Sequence, residues 1–113
     1  MKNHATLEVT MKSTLTEILR AVDNLITSLS RPLQDHELAN GWNDLKRNWF
    51  LDYTRTLREK LPVDYDSSLD HFVNISIVRT MDDWGIIGGE IMEDAAKVSH
   101  LIRQAAQARM DRR

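Results

Sequence analysis

The sequence predicts an all-α protein, a four-helix bundle-like single domain preceded by a short extended N-terminal arm. Three observations carry that reading. Apolar residues recur at steps of three and four along most of the chain, the spacing of one helical face. The length, 113 residues, suits one domain and leaves little room for a second core. Prolines and glycines are few, two and four, and they fall between the periodic stretches or interrupt them.

The expected boundaries are an arm over residues 1–12 and a helical domain over 13–113. In the arm, Leu7, Val9 and Met11 alternate with Thr6, Glu8, Thr10 and Lys12, which is strand periodicity with no partner strand in the chain. Met11, Leu15, Ile18, Val22, Leu25 and Leu29 then form the stripe of a first helix, and Thr14 with Glu17 resembles a capping box at its start. Ser30-Arg31-Pro32 ends it, because proline disfavours helical geometry in the residue before it.

A second, long helix is predicted from Leu38, Trp42, Leu45, Trp49, Tyr53, Leu57 and Leu61, with Pro62 as its stop and Gly41 inside it as a bend or close crossing. Residues 62–68 have loop composition, and Ser67 followed by Asp70 signals a helix start. The third element carries Leu69, Phe72, Val73, Ile75, Ile77, Val78 and Met81. Residues 72–78 fit alternation as well as helix, and helix is favoured because a lone strand cannot satisfy its backbone. Ile91, Ala95, Val98, Ile102 and Ala105 define the last helix, whose alanines permit close approach of an antiparallel neighbour.

Composition bounds the function. At 42% hydrophobic and 28% charged residues the chain is globular in character. It has no cysteine, which excludes disulfides, thiolate zinc sites and cysteine nucleophiles. No signal-peptide-like or membrane-length apolar run occurs, so the expectation is a cytoplasmic protein without membrane association. Residues 62–96 hold eight acids against one base, Arg79, whereas 97–113 hold five bases against Asp111. Basic residues toward the end of a final helix complement its dipole, and the acidic segment would repel phosphate, so direct nucleic-acid binding is not expected.

No catalytic motif emerges. His4, His36, His71 and His100 lack the spacing that places two ligands on one helical face, and the glycine-rich Gly85–Gly89 turn lacks the lysine and hydroxyl of a phosphate-binding loop. The chain is therefore expected not to be an enzyme and to need no cofactor or metal. The expected function is a small protein–protein interaction module, a regulator, adaptor or inhibitor. Asp82, Asp83, Trp84, Ile86 and Ile87 would meet a protein partner of basic character, acids steering and apolar residues anchoring. Two alternatives stand beside it. Glu90, Glu93 and Asp94, one turn apart on a helix, could serve a divalent-metal phosphohydrolase. A structural homo-oligomer, as a homodimer, would add stability to a modest core.

Overall fold

The architecture follows from where the chain can satisfy its own backbone. The computed structural model describes the backbone of residues 4–74 and 76–111 and the side chains of 14–73 and 76–111, and these residues form six α-helices and no strand. The helices are α1 (His4–Ser30), α2 (Asp35–Ala39), α3 (Asp44–Lys60), α4 (Tyr65–Asn74), α5 (Ile77–Asp83) and α6 (Glu90–Asp111). None is long and apolar enough to cross a membrane.

α1 corrects the expected N-terminal arm. Residues 4–12 continue the helix instead of extending, so Thr14 lies inside α1 and not at its start. An extended segment without a partner leaves its N–H and C=O groups unpaired, whereas lengthening a helix pairs them within the segment. Residues 1–3 of the arm lie outside the described residues. The predicted stripe is otherwise the buried one: Ile18, Val22, Leu25 and Leu29 are fully enclosed, each worth about 1.5–3 kcal/mol of burial.

The long second helix is also corrected, into two helices. Gly41 takes φ of +100°, which no helix interior accommodates, and the chain turns through residues 40–43 between α2 and α3. The Asn43 side chain then accepts from the Lys46 N–H at 2.8 Å and starts α3 afresh. Breaking the helix shifts the phase of every residue after the turn. The buried face of α3 is Phe50, Thr54 and Leu57, while Leu45, placed in the core stripe by spacing, is 80% exposed.

The third element is helical, as expected, but comes in two pieces. α4 begins at Tyr65, the fourth residue of the expected 62–68 loop, with the Ser68 N–H donating to the Asp64 carbonyl at 3.0 Å. Residues 72–74 and 77–78 are helical, and Ile75 lies outside the described residues. Ser76 caps α5 by accepting from the Arg79 N–H at 3.2 Å.

α1 and α6 form the centre and run antiparallel. At one end Ser28 donates to Asp94 at 2.5 Å and Arg31 pairs with Glu90 at 3.4 Å, while Glu17 and Arg20, further back along α1, share a groove with Leu101. Ile91, Ala95, Val98, Ile102 and Ala105 are buried on α6 along the predicted stripe. α3 lies on the other side of α1, and Arg58 reaches Asp23 at 2.8 Å. α4 and α5 return along α6, where Arg109 is held by Asp66 and Asp70 on successive turns of α4. α3 touches α4 only sparsely, which leaves a furrow between them.

Candidate functional site

Two glycine turns build the site. At the end of α2, the Gly41 N–H donates to the Leu38 carbonyl at 3.2 Å and the Trp42 N–H to the Glu37 carbonyl at 3.1 Å. At the end of α5, the Gly85 N–H donates to Asp82 at 3.0 Å and the Ile86 N–H to Met81 at 3.0 Å. Both are Schellman motifs: a left-handed glycine followed by an apolar residue that folds back onto the helix. That requirement buries Trp42 and Ile86, which are 3% and 1% exposed. Ile86 is thus a core residue beside Met81 and is removed from the surface set that the sequence suggested.

The two turns abut. A Cβ on Gly41 would strike the Gly85 carbonyl oxygen and stand 3.3 Å from the Ile86 Cα. The Ile87 N–H donates to the Asn40 carbonyl at 2.8 Å, and Lys46 Nζ donates to the Gly41 and Trp84 carbonyls, each at 2.8 Å. One ammonium thereby satisfies oxygens beyond two helix C-termini, where the dipoles favour positive charge.

This clasp aims Trp84 at α3. Its ring centroid lies 4.8 Å from Trp49 and 5.2 Å from Phe50. Phe50 is fully buried, yet Trp49 and Trp84 remain 41% and 37% exposed, so one face of the pair covers the core and the other meets solvent. The aromatic contacts continue: Trp49 stacks on Tyr53 at 5.2 Å with 10° between planes, and Tyr53 meets Phe72 of α4 at 5.0 Å. Beyond them, between the C-terminal half of α3 and α4, lies a cleft of about 380 Å³ whose apolar wall is Tyr53, Leu57, Val63 and Phe72. Burial raises the Tyr53 phenol above its ordinary pKa, and its Oη has no hydrogen-bond partner among the described residues.

Of the sequence-predicted residues, Asp82, Asp83, Trp84 and Ile87 share the turn and are exposed. Asp82 and Asp83 occupy the last turn of α5, the end at which a helix dipole disfavours carboxylates, and neither has an ion-pair partner among the described residues. The acidic alternative does not converge on one point. Glu90 faces Arg31, Asp94 accepts from Ser28, and no group of three or more His, Asp or Glu among the described residues is placed to hold a metal ion.

Sequence reasoning missed Leu45 and Trp49 as surface residues, because their four-residue steps continue the row of Trp42. The signal that separates them is Gly41 followed by a large apolar residue, the pattern of a helix end. Comparison with protein-family models, with curated proteins and with solved structures finds no match.

Proposed function

We propose that this chain is a small cytoplasmic protein–protein interaction module, a regulator, adaptor or inhibitor, which docks a partner on the Trp84 turn and the adjoining face of α3. The observation that carries this reading is the pairing of Trp49 with Trp84. Two tryptophans from separate elements pack against each other and still leave over a third of each in solvent. Rigid, preplaced aromatics of this kind supply most of the affinity at protein interfaces. Ile87, 73% exposed, and Leu45, 80% exposed, extend the apolar area around the pair.

Asp82 and Asp83, without an ion-pair partner among the described residues, carry the second part of the reading. Carboxylates at a helix C-terminus each oppose folding by about 0.3–1 kcal/mol, and their use would lie in speeding encounter with a basic partner and rejecting acidic ones. The test is affinity capture from cell extract with three forms of the protein: wild type, Trp84→Ala and Asp82→Lys/Asp83→Lys. Proteins retained by wild type should be lost from Trp84→Ala, and the double reversal should remove the salt dependence of their binding. Identical retention and salt dependence across the three forms would overturn the assignment.

A further inference from the structure

We infer that the aromatic row and the α3–α4 cleft form one two-anchor groove whose occupant is a basic amphipathic helix, with one large apolar side chain of that helix seated in the cleft. This rests on the interaction-module reading and adds a second anchor site and the chemistry of the partner.

Four observations meet here. First, the groove is continuous: ring contacts of 4.8, 5.2 and 5.0 Å lead from Trp84 through Trp49 and Tyr53 to Phe72, which is itself a wall of the cleft. Second, its floor is helical. Leu45, Trp49, Tyr53, Thr56 and Lys60 recur at steps of four, four, three and four on α3, a face about 22 Å long at 1.5 Å per residue. A partner helix of about four turns matches that length.

Third, the mode of recognition is restricted. No strand exists among the described residues, so no sheet edge is offered for strand addition, and the backbone of α3 is paired within itself. Side chains must do the recognising, which is the helix-in-groove mode, with anchors on one face of the guest. A cleft of about 380 Å³ lies at the small end of ligand sites, which run from about 300 to 1,000 Å³. Its apolar wall suits one bulky side chain.

Fourth, the charge around the groove is acidic. Asp52 follows Trp49 by one turn, Glu59 and Asp64 line the cleft, and Asp82 and Asp83 stand at the Trp84 end. On the basic side, Lys60 and His71 line the cleft, Arg55 lies one turn from both Asp52 and Glu59 on α3, Arg79 lies on α5, and the Lys46 ammonium is already held by two carbonyls. A guest with lysine or arginine flanking its apolar face complements this excess of acid.

The experiment is selection of a random 16-residue peptide library displayed on phage against the full chain. Binding of the selected peptides is then measured to wild type, Trp84→Ala, and two variants that fill the cleft from opposite walls at exposed positions, Ser67→Trp and Thr56→Trp. Circular dichroism first establishes that each variant is folded. The expected winners carry net positive charge and two large apolar residues seven or eight positions apart, and become helical when bound. Each cleft-filling variant should weaken them about 30-fold, the loss of one buried anchor.

Winners that lose affinity for Trp84→Ala but bind both cleft-filled variants as wild type would overturn the groove and leave the interaction-module reading standing. Winners indifferent to all three variants, or no enrichment at all, would remove both. Acidic winners, or extended ones, would overturn the assigned partner. Sedimentation equilibrium adds the last outcome: a dimer of wild type that Ser67→Trp dissociates would make the occupant a second copy and overturn the proposal.

Discussion

Residues 39–42 and 83–86 are the same backbone device in two settings, and the difference between them marks the candidate site. Both end a helix with a left-handed glycine and bury the next residue, Trp42 in one and Ile86 in the other. At the first turn the glycine is needed twice, since its φ is +100° and a side chain would collide with the Gly85 carbonyl. At the second it is needed once: Gly85 has φ of +79° and open space where a Cβ would point. The residue before the glycine differs too. Asn40 offers its carbonyl to Ile87, whereas Trp84 presents an indole that is partly in solvent. One turn is fully committed to packing, and the other keeps one side available.

The largest test of that contrast is the pair of tryptophans. Trp42→Ala should cost about 3–5 kcal/mol in urea unfolding, as other large-to-small core changes do. Trp84→Ala should cost about 1 kcal/mol, the scale of an aromatic contact, while abolishing partner binding. Equal losses would erase the distinction between a packing turn and a displaying one.

Next comes the glycine pair. Gly85→Ala should destabilise by about 1–2 kcal/mol, the left-handed penalty alone. Gly41→Ala should add about 1–3 kcal/mol to that penalty, the overpacking cost of a Cβ driven into backbone. Thermal denaturation of the two variants side by side measures the difference. A Gly41→Ala protein as stable as Gly85→Ala would show that the turns do not abut in solution.

Lys46→Met removes the donor shared by the turns while keeping an unbranched chain of similar length. It should cost about 1–2 kcal/mol, since two carbonyls lose a charged donor but can recover water at the exposed side. Hydrogen exchange should quicken in both turns together. Faster exchange in only one would break the link between them.

The smallest effect belongs to Tyr53, next to Trp49 on the aromatic row. Burial raises its pKa, so the folded state holds the phenolic proton more tightly than the unfolded state. Its contribution is therefore fully present below the ordinary value of about 10 and is lost as pH rises through the higher folded value. Tyr53→Phe should flatten part of the decline in stability above pH of about 10, and at neutral pH should be neutral or slightly stabilising because Oη has no partner among the described residues. An unchanged alkaline decline would show that the phenol is hydrated in the folded state.

Much of the fold is legible in the residues. The α1 stripe at Ile18, Val22, Leu25 and Leu29 and the α6 stripe at Ile91, Ala95, Val98, Ile102 and Ala105 are the buried ones, because each long helix must hide one apolar face whatever its neighbours are. The candidate site was legible in part. Asp82, Asp83, Trp84 and Ile87 do share an exposed turn, since glycine clusters end helices at the surface. Ile86 was misplaced because its neighbours look equally apolar in sequence, and only the turn geometry sends one isoleucine inward and leaves the next outside.

Periodicity, proline placement and glycine content were enough to establish an all-α chain and the faces of its two central helices, because those depend on contacts three and four residues apart. How Trp84 meets Trp49, and how the turn after α2 meets the turn after α5, depended on contacts some forty residues apart in sequence, such as Lys46 with Trp84. Local spacing carries no information about such pairings. They exist only once the helices have docked and two turns compete for the same space.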